Sequence, residues 1–269
     1  MEILAYIFAT AIGISLGLIG AGGSILTVPV LVYLAHVEPV LATAYSLFVV
    51  GTTALVGGVQ NLLKKRVDLK TALLFGIPSI AAVYVTRAFI MPIIPESINI
   101  SEGFVLTKAV FLMTLFAVLM VATSISMIRG NSKPKELDIA DARSDKRGYG
   151  LILLEGFGVG TLTGLVGAGG GFLIIPALVL LAGLEMKLAV GTSLFIIAMK
   201  SLIGFTGDIR SGMPIDWQFL MIFTTFSVAG IFIGTWLSRF VDGNKLKKAF
   251  GWFVLVMGMY MIAKETFFR

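Results

Sequence analysis

The chain has 269 residues, 57% of them hydrophobic and 13% charged, with a mean hydropathy of +0.98 and a net charge of +6. A soluble domain is about half apolar and about a quarter charged, so this composition excludes a water-facing globular surface. The basic residues lie in short loops between long uncharged runs, as the positive-inside bias produces, and form no aromatic-interleaved stripe for nucleic acid. With no Cys and a single His36, disulfide, thiolate and sulfur-ligated metal chemistry are excluded; no metal site, catalytic residue or cofactor is expected.

The apolar spans predicted in chain order are 3–35, 41–60, 70–92, 104–128, 150–183, 188–206, 217–240 and 248–264. The N-terminus lacks a basic n-region, so no cleaved signal peptide is expected. The first and fifth spans, about 33 residues each, would measure roughly 50 Å as single helices, against a bilayer core of about 30 Å. Each is interrupted by glycines, at Gly20-Ala-Gly-Gly23 and Gly167-Ala-Gly-Gly-Gly171. Successive glycines cost about 1 kcal/mol each inside a helix, so both spans are predicted to break. The second pieces, 24–35 and 171–183, then reach about halfway through the bilayer. The polar stretch 129–148 reads as a linker between a first repeat, 1–128, and a second, 149–269.

Those two parts are related by duplication. Residues 17–58 align without a gap to 164–205, displaced by 147 positions, with 20 identities in 42 pairs. Pro29/Pro176, Glu38/Glu185, Ser46-Leu-Phe48/Ser193-Leu-Phe195 and Gly57/Gly204 are among them, which low complexity alone does not produce. Duplicated halves recur in secondary transporters. The loop with Lys64-Lys-Arg66 and Lys70, the linker and the loop near 239–248 are basic and expected in the cytoplasm, whereas 93–103 carries Glu96 and Glu102 and is expected outside. Equivalent loops then face opposite sides. The expected fold is an all-α integral membrane protein of two inverted repeats, each a Gly-broken re-entrant hairpin plus about three full spans, with both termini outside.

A helix that starts inside the membrane exposes unpaired N–H groups and a positive dipole end, which suit an anion. Gly22, Gly23 and Ser24 begin one second piece; Gly169, Gly170 and Gly171 begin the other. Close packing of the small-xxx-small type is the structural alternative. A dinucleotide-binding reading of the glycines is set aside, because no βαβ unit surrounds them. Polar residues recur at helical spacing in both halves: Ser46, Thr53, Gly57 and Gln60 in one, Ser193, Lys200, Gly204 and Gly207 in the other. Lys200 stands opposite Thr53 in the repeat, and an ammonium in a membrane helix is costly and usually functional. Snorkelling to the headgroups is its structural alternative, and is the preferred reading for Arg87. Asp208 and Asn61 read as polar helix ends, Glu38 and Glu185 as N-terminal carboxylates. Glu155 reads equally as a proton site or a structural residue. Trp217, Trp236 and Trp252 fit an interfacial belt.

The paired Gly-x-x-Gly-Ala-Gly-Gly motifs, each followed by Pro29 or Pro176, with Ala189-Val-Gly-Thr-Ser-Leu194 and its copy Ala42-Thr-Ala-Tyr-Ser-Leu47, resemble the sulfite exporter TauE/SafE family over nearly the whole chain. The resemblance implies a multi-pass protein of the bacterial or archaeal cytoplasmic membrane, handling sulfite, thiosulfate, sulfonates or sulfoacetate. The expected function is secondary transport of a small anion. The substrate-binding candidates are Gly22, Gly23, Ser24, Ser46, Thr53, Gly169, Gly170, Gly171, Thr192, Ser193 and Lys200. The expected partners are the anion, the bilayer and a coupling proton or sodium ion. An anion channel shares this chemistry. A membrane enzyme would need a convergent acid/base, nucleophile or metal set, which the chain does not offer.

Overall fold

The computed structural model describes residues 2–101, 104–129, 146–167, 169–171, 174–175, 178, 184–238, 240 and 243–267. The described chain is helical apart from one hairpin. Helix α1 spans Glu2–Ile19, a 3-10 segment Ala21–Leu26 follows, and α2 covers Thr27–Tyr33. Then come α3, Pro39–Leu63, and α4, Leu69–Ile93, whose stretch Thr86–Ile90 is π-helical. After the hairpin lie α5, Lys108–Arg129, α6, Lys146–Val166, α7, Met186–Arg210, α8, Trp217–Leu237, and α9, Gly243–Phe267. Residues 130–145, most of the predicted linker, lie outside the described residues.

Local chemistry explains the boundaries. Glu38 accepts a hydrogen bond from the Leu41 N–H at 3.0 Å, and Pro39 occupies the first helical position of α3, where its missing N–H costs nothing. Asp68 caps α4 through the Lys70 and Thr71 amides, and Asp216 caps α8 through Phe219. The expected span 104–128 starts late. Phe104–Thr107 pairs antiparallel with Ser97–Ser101, placing Ile98 opposite Leu106. Its β-branched and apolar residues suit a pleated edge, so the helix begins only at Lys108.

Four described helices are long and apolar enough to cross a membrane: Pro39–Leu63, Leu69–Ile93, Leu188–Arg210 and Trp217–Leu237. Their outward faces are apolar too. Leu73, Ile77 and Phe89 on α4, and Phe226, Phe232 and Trp236 on α8, are exposed. A surface of this kind is stable against hydrocarbon and not against water. The protein is an all-α integral membrane protein. Trp217, Trp236 and Trp252 are all exposed.

The core is built across the two halves of the sequence. The main contacts are α1 with α8, α4 with α6, α3 with α7 and α5 with α9. Glycines set the register. A Cβ on Gly13 would meet the Ser227 carbonyl, and one on Gly17 would meet Ile231 and Thr235, so α1 and α8 run parallel at backbone contact. Gly156, Gly160 and Gly164 face Phe75, Ser79 and Thr86 in the same sense, so α4 and α6 are parallel as well. In contrast, Gly51 lies against Leu202 and Gly58 against Phe195, so α3 and α7 are antiparallel.

Candidate functional site

Both glycine-rich runs turn the chain back on itself. Gly20 has φ +78°, ends α1 and packs on Val190 of α7. Three residues later, a Cβ on Gly23 would stand 2.6 Å from the Leu16 nitrogen, so the 3-10 segment doubles back along α1. In the second run Gly167, Gly169 and Gly170 have φ of +75°, +64° and +64°, a conformation that costs L-residues but not glycine. Gly167 packs on Thr43 of α3, and Gly169 between Val50 and Ile197, near the middles of α3 and α7. Thr43 and Val190 are equivalent by the repeat, so the two turns meet equivalent walls. Gly22 lies in the 3-10 segment, and its packing lies outside the described residues.

Lys200 is brought to the second turn. It is fully buried on α7, and its Nζ donates to the Thr163 hydroxyl of α6 at 3.1 Å. Thr163 donates its own proton to the Gly160 carbonyl, which leaves its lone pairs for the ammonium. A Cβ on Gly170 would stand 2.6 Å from Nζ, so the missing side chain is what admits the charge. No carboxylate pairs with Lys200 among the described residues. An ammonium has three donors, and one neutral hydroxyl does not offset its burial. Gly171, Ile174, Ile175 and Leu178 are helical beyond the turn, with the Ile174 amide bonded to the Gly170 carbonyl at 3.1 Å.

The remaining candidates divide. Thr53, the repeat equivalent of Lys200, donates to Ser227 Oγ of α8 at 3.0 Å in a buried, neutral pair. Ser24 is buried. Ser46 is buried, and among the described residues its hydroxyl has no partner. Its equivalent Ser193 returns its proton to the Val190 carbonyl. Thr192 serves as a clamp: its hydroxyl accepts the Asp68 N–H at 2.9 Å, tying α7 to the start of α4. Tyr45, equivalent to Thr192, does the same for the Asp216 N–H at 2.6 Å. The longer tyrosine stands over a cavity of about 460 Å³, lined by His36, Glu38, Leu41, Asp216 and Phe219 among others. At the opposite end a Cβ on Gly191 would meet the Arg66 carbonyl.

Arg87 and Asp208 correct the sequence reading. Arg87 does not snorkel, and Asp208, in the last turn of α7, serves Arg87 and is not a cap: both side chains are 0% exposed, and Arg87 Nη1 lies 3.3 Å from Asp208 Oδ1. The same nitrogen donates to the Thr43 hydroxyl at 2.9 Å, which donates in turn to the Val40 carbonyl. Opposite charges near the ends of two apolar spans were a readable signal, because burial leaves such groups few alternatives to each other. Thr163 had no such signal. Glu155 is partly exposed on α6, and Glu185 starts α7 without a side-chain bond to it. Among the described residues no group of three or more His, Cys, Asp or Glu side chains could hold a metal.

The family model described as sulfite exporter TauE/SafE matches residues 5–261. A "probable membrane transporter protein" of Xylella fastidiosa is 27% identical over 93% of this chain and 91% of its own length. The "probable membrane transporter protein YunE" of Bacillus subtilis is 27% identical over 98% of this chain and 100% of its own. A probable membrane transporter protein of Methanocaldococcus jannaschii is 36% identical over 41% of this chain and 43% of its own length. No solved structure matches significantly. The family match spans nearly every element just described, and the chain belongs to the sulfite exporter TauE/SafE family.

Proposed function

We propose that the chain is a secondary transporter of a small anion, a sulfur oxyanion or organosulfonate such as sulfite, thiosulfate or sulfoacetate, bound at Lys200 and the Gly169–Gly171 turn. The observation that carries the reading is the buried Lys200 ammonium, held by one hydroxyl at a glycine whose missing Cβ makes room for it. A fixed positive charge in a water-poor interior favours an anion by up to about 4 kcal/mol at 4 Å in an intermediate dielectric, before desolvation is subtracted. The start of the second helical piece adds a dipole of about half a charge. The family supports a sulfur anion as substrate. A binding panel of sulfite, thiosulfate, sulfate, taurine, sulfoacetate and small carboxylates on purified protein tests it. Saturable binding of a sulfur anion, weakened by roughly one to two decades in Lys200→Met, is expected; binding only of carboxylates would overturn the substrate class.

The halves are inverted repeats, related by a two-fold axis that lies in the membrane plane. The antiparallel packing of the equivalent helices α3 and α7 supports this, since a two-fold axis along the membrane normal would make them parallel. With the basic loops inside, the linker 129–148 is cytoplasmic and both termini are outside, in the cytoplasmic membrane of the cell. Accessibility of terminal tags on intact cells measures it. An external N-terminus with a cytoplasmic C-terminus is incompatible with inversion.

A further inference from the structure

We propose that the free edge of Arg87 is a second oxyanion subsite, lying along α7 from Lys200 toward Arg210. The inference rests on the anion-transport reading and extends it from a single site to two stations. Among the described residues only one of the three guanidinium nitrogens is used: Nη1 serves both Thr43 and Asp208. Nε and Nη2 have no partner among the described residues, although both are buried. Those two nitrogens form the side of the guanidinium that presents parallel N–H groups, the geometry that takes two oxygens of one oxyanion. A buried charged donor left without an acceptor costs more than an ordinary hydrogen bond is worth, so this edge favours a ligand that the protein itself does not supply.

The surroundings fit the same role. Thr86, adjacent to Arg87, has a buried hydroxyl with no partner among the described residues, and Gly164 and Gly207 give the backbone room beside Thr86 and Arg87. Asp208 stands eight residues beyond Lys200 on the same helix, about 12 Å by the helical rise. An anion leaving Lys200 along α7 therefore meets the guanidinium next. Asp208 has two effects. It holds Nη1, and its charge opposes an incoming anion, keeping the station weak enough to release what it receives. The Nε/Nη2 edge is closed off in this conformation, so the anion reaches it when α4 and α7 part.

The test is thermal denaturation of the detergent-purified full chain against sodium thiosulfate and sodium sulfite, with sodium chloride at equal ionic strength as control. Asp208→Asn removes the opposing carboxylate, and the half-maximal oxyanion concentration should fall about tenfold from wild type, with no such response to chloride. Adding Arg87→Gln to Asp208→Asn should abolish that gain. If Asp208→Asn is folded only with added salt, rescue by the oxyanions and not by chloride is the expected result. An unchanged or weaker oxyanion response in Asp208→Asn, the same gain in the double variant, or no rescue by either oxyanion overturns the proposal. The reading of Lys200 fails on a different result, a wild-type oxyanion response in Lys200→Met, whatever Asp208→Asn does.

Discussion

Two equivalent positions in the bundle carry opposite chemistry. Around α1, α3 and α8, the polar contact is neutral: Thr53 bonds to Ser227, both buried. Around α4, α6 and α7, the corresponding place holds Lys200 on Thr163, with the Arg87–Asp208 pair further along. The backbone plan is the same on both sides, with parallel helices held in contact by Gly13 and Gly17 or by Gly160 and Gly164. The repeat supplies a common frame, and different residues at a few interior positions leave one side with buried charges and the other with a neutral packing contact. A neutral hydroxyl pair satisfies itself, whereas a buried ammonium with one neutral partner gains from a counter-charge.

The largest effect is expected at the charged side's turn. In Gly170→Val the new side chain would collide with Thr163 and Lys200 at a φ of +64°, so transport should be lost. Gly23→Val instead meets the backbone of Leu16 and Ile12 in α1 and should lower folded yield as well. Comparing expression with uptake or efflux for the two variants separates a site defect from a folding defect. Full transport by Gly170→Val at normal yield would remove the turn from the site.

Lys200→Met comes next. It should weaken binding of the best-bound anion by roughly one to two decades, the worth of about 1.5–3 kcal/mol for a hydrogen bond to a charged group, while folding is kept or improved. The matching change on the neutral side, Thr53→Val, should leave anion affinity within twofold. It should cost about 1–3 kcal/mol of stability, because Ser227 is left without its partner. Dissociation constants and melting curves measured on both variants decide the comparison. Equal losses of affinity would show that the two sides act as one site.

The smallest effects belong to the clamps. Tyr45→Phe removes the acceptor of the Asp216 N–H, and Thr192→Val that of the Asp68 N–H. Each should cost about 0.5–1.5 kcal/mol, seen as a small drop in melting temperature with substrate affinity unchanged. A loss of affinity in Thr192→Val would place that residue in the binding site.

The sequence by itself determined the solvent, the repeat and the places where helices break. Those depend on local quantities: apolar run length against bilayer thickness, the cost of successive glycines, and caps such as Glu38 that reach only three residues along the chain. The family motifs were legible for the same reason. Tertiary structure alone decided which groups meet. Arg87 finds Asp208 across 121 positions, Lys200 finds Thr163 across 37, and Thr192 is drawn to the Asp68 amide across 124. Helical periodicity tells which face a residue occupies but not which helix lies against it, so Arg87 read as a snorkelling end group. In a bilayer core that offers no water to satisfy a stray charge, the packing of the other half of the chain gave it Asp208 instead.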